Sequence, residues 1–280
     1  MTIMSSLVKA IELLKTHKIE DPILKARLLL AFVLNESKEY IIINGEKEVE
    51  PKVEKKYESL LNELVKHVPL QYITSSQEFM GLNFYINEDV LIPRQDTEIL
   101  VEEVLKRIDL KKKYKILDMC TGSGVIAVSL AKNILKCEIT AVDISARALK
   151  VASRNAEING VSDKIEFVES NMFSKVKEKY DIIVSNPPYV DKEHMNLLSK
   201  EVKKEPFTAL YGGNEGLKFY KILGTKSKEY LNDKGLLFLE IGYNQKEQVC
   251  EILNNQGYRD IMCIKDLAGH DRVITAFKKI

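Results

Sequence analysis

The stretch Ile116-Leu117-Asp118-Met119-Cys120-Thr121-Gly122-Ser123-Gly124 decides how this chain is expected to fold. The apolar residues from Tyr114 to Met119 predict a buried strand, and the small residues after them predict a tight turn. Apolar spacing from Gly124 to Leu135 predicts a helix. A strand, a glycine-rich turn and a helix in this order begin a unit of a parallel α/β sheet.

The alternation of strands and helices continues to the end of the chain. Because the last two strands follow one another without a helix between them, we expect them to form an antiparallel pair. The fold class is therefore α/β, an open, mostly parallel, doubly wound sheet of seven strands with a terminal antiparallel pair. The other predicted strands cover 138–142, 164–168, 180–184, 235–241, 258–264 and 272–278, and the other helices 145–159, 217–231 and 245–255.

Three regions are predicted along the chain. Residues 1–72 show helical spacing of apolar residues and predict a small bundle, in which Asp21 caps the helix that begins at Pro22. Residues 73–95 predict a β-hairpin linker with Gly81 near its turn. Residues 96–280 form the α/β domain, which opens with an amphipathic helix at Asp96.

Composition excludes several classes of protein. The 280 residues carry 42 Lys and Arg against 41 Asp and Glu, and 45% are hydrophobic. That content supplies a packed core, and the near-zero net charge counts against a broadly basic nucleic-acid binder. The four cysteines form no C-x-x-C pair, and the start of the chain lacks a signal-peptide pattern. We therefore expect a cytoplasmic protein, monomeric, with no membrane segment, no metal and no stable nucleic-acid binding.

The turn from Cys120 to Gly124 and the residue Asp143 predict a nucleotide-type site. Ligands of open α/β sheets bind beyond the carboxyl ends of the strands, and Asp143 ends the second strand, where a carboxylate can accept both hydroxyls of a ribose. NAD sites favour a G-x-G-x-x-G pattern, but Val125-Ile126-Ala127 follows Gly124, so the third glycine of the pattern is absent. Asp118 would repel a pyrophosphate and could orient an ammonium group through backbone and water. The loop therefore favours S-adenosylmethionine over NAD.

Asn186-Pro187-Pro188-Tyr189 follows the fourth predicted strand. Two consecutive prolines cannot continue a strand, because neither offers an N–H and each restricts the residue before it. A rigid strand exit explains an isolated pair of prolines. Here the Asn186 side-chain oxygen and the Pro187 carbonyl could both accept hydrogen bonds from one planar –NH₂ group, with Tyr189 flanking its face.

This motif, paired with the loop at 118–124, resembles the amino-group methyltransferases that use S-adenosylmethionine. A wider match from residue 69 to the end resembles the HemK/PrmC family of peptide chain release factor glutamine methyltransferases. The stretches that carry this match are Pro69–Ile73, Phe79–Gly81, Val90–Glu98, Glu205-Pro206, Ala209–Gly213 with Gly216-Leu217, Leu239–Gly242 and Asp266–Val273.

The resemblance implies a methyltransferase fold that methylates the side-chain amide nitrogen (N5) of the glutamine in the Gly-Gly-Gln motif of class-I release factors. It places Asp118, Cys120–Gly124 and Asp143 around S-adenosylmethionine, which becomes S-adenosylhomocysteine. Met172 would lie against the adenine. The four residues Asn186–Tyr189 would act as the catalytic and substrate-binding group, with Asn186 also near the cofactor and Phe79 lining the substrate pocket. The helical bundle would contact the release factor.

Three positions depart from the family pattern, none of them a polar group that the chemistry needs. Cys120 stands where a glycine is frequent, Gln95 where a second proline is usual, and Met172 where relatives sometimes carry an aromatic residue. The alternatives are a DNA or RNA amino-methyltransferase, which would flip its target base into the pocket, and a ribosomal-protein glutamine methyltransferase. A non-catalytic S-adenosylmethionine-binding protein is disfavoured by the combination of Asn186, Asp143 and the loop glycines.

The remaining candidates are predicted to be structural. His194 is expected to face solvent rather than to act as a base, and His270 is expected to stabilise a turn. Asp118 has Arg272 as its candidate distant partner, a pairing that would fix two loops.

Overall fold

The computed structural model describes residues 1–278 and divides into two compact units. The helical unit comprises Met1–Ser76 together with the later segment Ser199–Lys204. The sheet unit comprises Gln77–Leu198 and the described chain from Glu205 onwards. Of the predicted hairpin linker, residues 77–95 belong to the sheet unit and residues 73–76 to the helical unit, and a short piece from the second half of the chain folds with the helices. The sequence pattern did not indicate this inserted segment.

The helical unit is built around one apolar core. Amphipathic spacing places Leu7, Ala10 and Leu14 on the buried face of the first helix. The Tyr57 hydroxyl donates to the carbonyl oxygen of Ala26 at 2.9 Å, which satisfies the polar end of a buried ring. The helices are α1 (Ile3–Thr16), α2 (Pro22–Leu34), α3 (Lys38–Ile43), α4 (Pro51–Val65) and α5 (Leu70–Thr74).

The start of α2 corrects one prediction. Pro22 is the first helical residue, as its fixed φ favours, but Asp21 does not cap the helix with its side chain. Asp21 lies in the left-handed region at φ 50°, where its carboxylate accepts no N–H from the first turn. The proline alone therefore defines the beginning of α2.

The sheet unit contains a two-stranded hairpin and a seven-stranded sheet. The large sheet has the order β5-β4-β3-β6-β7-β9-β8, in which β9 is antiparallel to both of its neighbours and the other pairs are parallel. This confirms the predicted seven strands with a terminal antiparallel pair. The strands are β1 (Ser76–Phe79), β2 (Leu82–Tyr85), β3 (Lys113–Met119), β4 (Lys136–Asp143), β5 (Ile165–Glu169), β6 (Tyr180–Ser185), β7 (Leu231–Glu240), β8 (Arg259–Lys265) and β9 (Asp271–Phe277).

Helices cover the sheet, and two short ones were not predicted. They lie between β6 and β7, in a region whose short apolar runs are too brief to show a helical period. The helices are α6 (Asp96–Arg107), α7 (Val125–Asn133), α8 (Ala146–Ile158), α9 (Lys192–Leu197), α10 (Phe207–Leu210), α11 (Lys218–Tyr230) and α12 (Lys246–Asn255), of which α9 and α10 are the unpredicted pair. Within residues 1–278, no helix is both long and apolar enough to span a bilayer.

Parallel registration brings three strand ends to one level. Met119 at the end of β3 is paired with Val142 of β4 on one side and with Ser185 of β6 on the other. The next residues, Cys120 and Asn186 among them, therefore leave the sheet side by side. The strand order reverses here, because β4 lies on one side of β3 and β6 on the other. In open α/β folds this is where a ligand crevice forms.

Candidate active site

A cavity of about 370 Å³ opens at these strand ends. That volume lies in the usual range for a small-molecule site. Its wall includes the loop after β3, the end of β4, the segment after β5, the end of β6 and the short helix α10. The residues that the sequence predicted and that line it are Cys120, Thr121, Gly122, Ser123, Asp143, Met172, Asn186 and Pro188.

The loop after β3 is held in a tight turn by its own backbone. The N–H of Thr121 donates to the carbonyl oxygen of Val142, and the N–H of Gly124 donates to the carbonyl oxygen of Thr121. Gly124 has φ 82°, and a side chain there would press on Ala152 of α8. The glycine therefore lets α8 pack closely against the turn. Cys120 adopts φ 63°, so this position does accept a side chain in the left-handed region.

Asp118 supports the turn from behind and is not part of the cavity wall. It is fully buried, and its Oδ2 accepts from the Thr121 hydroxyl at 2.6 Å and from the Ala127 N–H at 3.2 Å. Its Oδ1 is buried without a partner. Burial raises the pKa of this carboxyl to about 7, although its two hydrogen bonds act to lower it. Asp118 thus ties the loop to the first turn of α7.

The predicted pairing of Asp118 with Arg272 is wrong. The Arg272 guanidinium lies 3.0 Å from the carboxylate of Asp266 and 3.1 Å from that of Asp96. It also donates to the carbonyl oxygen of Ile241. Arg272 therefore joins the start of α6 to the turn between β8 and β9, because carboxylates there satisfy its charge.

Asp143 presents its carboxylate to the cavity from the end of β4. One oxygen accepts the N–H of Gly122 and the other accepts the N–H of Ser145, both at 2.9 Å. Burial raises the pKa of Asp143, and the backbone hydrogen bonds oppose that rise. Each carboxylate oxygen can accept more than one hydrogen bond, so acceptor capacity remains for a ligand.

Met172 lies in the cavity wall, beside the loop after β3. It begins a short 3₁₀ turn, Met172–Lys175, and has φ 50°. Its sulfur is 3.9 Å from the Cys120 sulfur. Two polarisable, largely apolar side chains thus share this part of the wall and offer a surface for a flat ring.

Asn186 is the first residue after β6 and projects its amide beside α6. Its Nδ2 donates to the Thr97 hydroxyl oxygen at 3.1 Å. Within residues 1–278, neither the Asn186 side-chain oxygen nor the Pro187 carbonyl oxygen accepts a hydrogen bond. The Asn186 oxygen, on a residue of the cavity wall, is therefore available to a donor that enters the cavity.

The chain after Asn186 is clamped by a glycine turn and a glutamine. Gln245 donates to the carbonyl oxygens of Tyr189 and Gly216, at 3.0 and 3.3 Å, and accepts the N–H of Gly242. Gly216 has φ 72°, and a Cβ there would collide with the Tyr189 carbonyl oxygen. Only glycine permits this close approach, which fixes the backbone around the two prolines.

Tyr189 points away from the cavity wall towards a buried carboxylate. Its hydroxyl is 3.4 Å from Oε1 of Glu240, which ends β7 and is 1% exposed. The other oxygen, Oε2, is buried without a partner. Burial raises the pKa of Glu240 to about 7 and also raises that of the Tyr189 hydroxyl. Pro187 likewise is not part of the wall, so only Asn186 and Pro188 of this motif line it.

Phe79 and the two histidines lie outside the cavity wall. Phe79 is 1% exposed and packs edge-on against Phe84, with ring centroids 6.1 Å apart, in the core beneath the hairpin. His194 is exposed and 2.7 Å from the Asp191 carboxylate, and His270 packs against Tyr243. The structure does not bring Phe79 to the site that the resemblance implied.

Three groups that support the site were given no role in it from the sequence, although Glu205 and Thr97 lie in stretches that carry the family resemblance. Glu205 accepts from Arg94 at 2.5 Å and from the N–H of Ile92, which fixes the chain between the hairpin and α6. The side chain of Asn155 in α8 accepts a hydrogen bond from the N–H of Tyr85 and donates to the carbonyl oxygens of Tyr85 and Ser123. These hydrogen bonds hold the hairpin to the loop after β3. Thr97 bonds Asn186. Buried polar residues inside amphipathic helices were the available signal for Asn155 and Thr97.

Two protein-family models match the chain. The PrmC N-terminal domain matches residues 6–74, and the methyltransferase small domain matches residues 95–210. The first corresponds to the helical unit, and the second covers the loop after β3, Asp143 and Asn186.

Solved structures show the same fold at low sequence identity. A methyltransferase from Pyrococcus furiosus superposes with a TM-score of 0.57 at 19% identity, over 78% of this chain and 99% of that one. A Thermus thermophilus 16S rRNA N2 G1207 methyltransferase, solved with AdoMet and guanosine, gives a TM-score of 0.53 at 18% identity, over 73% of this chain and 50% of that one. These likenesses establish the methyltransferase fold.

Curated relatives match at much higher identity. A release factor glutamine methyltransferase from Clostridium botulinum is 41% identical, over 97% of this chain and 98% of the relative. One from Clostridium acetobutylicum is 39% identical, over 99% of both. With the domain pair and the geometry above, these matches show that the chain belongs to the family of release factor glutamine methyltransferases.

Proposed function

We propose that this protein uses S-adenosylmethionine to methylate the N5 nitrogen of the glutamine in the Gly-Gly-Gln motif of class-I peptide chain release factors. The observation that carries the proposal is the side-chain oxygen of Asn186, which lies on a residue of the cavity wall and accepts no hydrogen bond within residues 1–278. The carbonyl of the next residue, Pro187, is proposed as the second acceptor. A primary amide has two N–H groups in one plane. Two fixed acceptors match that donor pattern.

The cavity residues fit the cofactor. The Asp143 carboxylate keeps acceptor capacity for the two ribose hydroxyls, and Met172 with Cys120 offers a polarisable surface to the adenine. The turn Cys120–Gly124 brings backbone close to the methionine portion. Asp118, fully buried behind that turn, would act on the cofactor by holding the turn in place through the Thr121 hydroxyl and the Ala127 N–H. When bound, S-adenosylmethionine supplies a methyl group already activated by its sulfonium.

The task left to the protein is alignment. A carboxamide nitrogen is a weak nucleophile because its lone pair is delocalised into the carbonyl. Asn186 and Pro187 would orient the –NH₂ group so that its nitrogen faces the methyl carbon in line with the departing sulfur. Holding two reactants in this way lowers a barrier by about 7–11 kcal/mol.

Charge placement adds to alignment. As the nitrogen becomes positive, the oxygens of Asn186 and Pro187 would stabilise it more strongly than they stabilise the neutral amide. The nitrogen loses its proton after transfer, so the step needs no strong general base. The clamp of Gln245 and Gly216 on the neighbouring backbone supports this role, because fixed oxygens need no reorganisation during the reaction.

The helical unit is proposed to bind the release factor itself. Its surface carries large apolar side chains in α1 and α3, including Val8 at 56% and Ile43 at 80% exposure. Exposed apolar groups of this size favour contact with another protein. A unit with its own core can hold a large substrate while the cavity receives one side chain.

The test is methylation of a purified class-I release factor. The protein and S-adenosylmethionine should add one methyl group to the peptide that contains Gly-Gly-Gln, as read by mass spectrometry of the digested factor. A release factor with that glutamine changed to alanine should gain none. An unmodified glutamine in the presence of methylation elsewhere on the factor would overturn the proposal. Methylation of duplex DNA or RNA, or of a ribosomal protein in preference to the factor, would do the same.

A further inference from the structure

Two large apolar side chains line the cavity and are also exposed to solvent. Ile144 is 59% exposed and Phe207 is 60% exposed, whereas Val142 and Met172 of the same wall are buried. A wall residue that faces solvent lies at the opening of a cavity, and a buried one lies deeper. The two side chains thus mark the opening, and Ile144 directly follows Asp143, on the side proposed for the ribose.

Phe207 begins α10, and the chain at the end of this helix is fixed to the motif that follows β6. The N–H of Val190 donates to the carbonyl oxygen of Leu210 at 2.9 Å, and the N–H of Gly212 donates to the carbonyl oxygen of Val190 at 2.8 Å. A Cβ at Gly212 would lie 2.7 Å from the carbonyl oxygen of Pro188, so only glycine permits this approach. Phe207 is therefore anchored to the target-binding side of the opening.

The ring of Phe207 is supported by a second aromatic residue. Its centroid lies 5.0 Å from that of the Tyr211 ring, with the two planes inclined by 33°. Tyr211 also lines the cavity, and its hydroxyl donates to the Asn214 side-chain oxygen at 2.9 Å. The Phe207 ring is thus held by Tyr211 while most of its surface remains open. Tyr189, which was expected to flank the target, lies outside the wall, so the aromatic surface on this side comes from α10.

The Gly-Gly-Gln sequence offers an unusual surface to such a ring. When the glutamine side chain enters the cavity, the two glycines before it remain at the opening, because they are joined directly to its main chain. Glycine has no Cβ, so its peptide planes can approach a flat group closely. An aromatic ring supplies a large, rigid contact area at a small cost in side-chain entropy.

We propose that Phe207 is a specificity-determining residue whose ring packs against the backbone of the two glycines that precede the target glutamine. This inference rests on the proposed function, because it names a contact with the same release-factor loop. A side chain in place of the second glycine would meet the ring and move the glutamine away from Asn186. The ring thus makes methylation depend on residues that take no part in the reaction.

The experiment combines one change in the enzyme with one change in the substrate. Wild type and Phe207→Ala are each assayed with the natural release factor and with a factor in which the glycine before the glutamine is alanine. Phe207→Ala should lower kcat/KM for the natural factor about 10-fold, with an unchanged Kd for S-adenosylmethionine. The loss of kcat/KM caused by the alanine should be about 10-fold smaller in Phe207→Ala than in wild type, because the space left by the ring receives the new methyl group.

Two further variants separate the ring from general loss of apolar surface. Phe207→Tyr keeps the ring, so it should retain wild-type kcat/KM within about twofold and also keep the discrimination against alanine. Leu197→Ala is the matched control, because Leu197 ends α9, is 78% exposed and lies outside the cavity wall. We expect Leu197→Ala to behave as wild type with both factors.

The comparison of the two substrates decides the inference. An equal loss of kcat/KM from the alanine in wild type and in Phe207→Ala would show that the ring does not contact the glycines, and it would overturn the proposal. Equal methylation of both factors by wild type would do the same. The proposed function fails by a different result, namely a wild-type protein that leaves the glutamine of the natural factor unmodified.

Discussion

The side of the cavity at β4 and the side at β6 hold their polar groups by different means. At β4 the Asp143 carboxylate is fixed by two backbone N–H groups, those of Gly122 and Ser145. At β6 the Asn186 amide is fixed by a side chain, the hydroxyl of Thr97. Backbone support depends on the fold alone, whereas side-chain support depends on single residues. The β4 side should therefore tolerate substitution around it better than the β6 side.

The largest effect is expected from Asn186→Ala. Loss of an oxygen that stabilises the developing positive charge should lower kcat about 10²- to 10³-fold, while the cofactor still binds. Release-factor methylation and calorimetric titration of S-adenosylmethionine measure the two quantities. Unchanged methylation would refute the role proposed for Asn186 and remove one side of the comparison.

A smaller, differently located effect is expected from Asp143→Ala. Removal of a charged hydrogen-bond acceptor should weaken binding of S-adenosylmethionine about 10- to 100-fold, because each such bond contributes about 1.5–3 kcal/mol. The rate at saturating cofactor should change little. Asp143→Asn keeps one acceptor oxygen, so its Kd for S-adenosylmethionine should lie between those of Asp143→Ala and wild type. A normal Kd in Asp143→Ala would place the ribose elsewhere.

Asp118→Asn tests the support behind the loop through pH. The folded-state pKa of Asp118 is raised to about 7 from an ordinary value of 3.8. Between these values the folded chain holds a proton that the unfolded chain has lost, so the contribution of Asp118 to stability falls as pH rises from about 4 to about 7. Asparagine does not titrate. The free energy of unfolding of Asp118→Asn, measured relative to that of wild type, should therefore increase by more than about 1 kcal/mol between pH 4.5 and pH 8.

Chemical denaturation at several pH values measures this difference. Glu240, whose pKa is also raised to about 7, remains in both proteins and cancels from the comparison. A pH-independent difference between Asp118→Asn and wild type would mean that Asp118 is ionised throughout this range.

The smallest effect on activity is expected from Phe79→Leu. Because Phe79 is buried against Phe84 and outside the cavity wall, its truncation should cost about 1 kcal/mol of stability and change kcat and KM by less than about twofold. Phe84→Leu is the matched control. A several-fold rise in KM for the release factor in Phe79→Leu alone would restore the role that the resemblance implied.

The same contrast explains what could be predicted from sequence. Asp143 was found because a strand, turn and helix of ordinary length fix its distance from Gly124, and Asn186 was found because two prolines mark the end of β6. Thr97 was missed because its partner lies 89 residues away, and no local pattern reports such a contact. Local backbone geometry can be recognised from the types of neighbouring residues, whereas a side-chain contact between segments that are distant in sequence cannot.

The region between β6 and β7 was the least predictable part of the fold. The helices α9 and α10 have six and four residues, too few for apolar periodicity to show. Asp118 was paired with Arg272 by charge alone, but Arg272 is satisfied by Asp96 and Asp266. Opposite charges in a sequence do not reveal which of many possible pairs the fold brings together.

The segment Ser199–Lys204 gives the two units an unusual covalent relationship. Since it belongs to the helical unit, the chain passes from one unit to the other three times, and Glu201 pairs with Lys25 at 2.5 Å. A break in the chain after Ser76 would therefore yield a large fragment that still carries part of the fold of the small one. The large fragment would keep every segment of the sheet unit, whereas the small fragment would lack one segment of its own unit, so only the helical unit would be left incomplete.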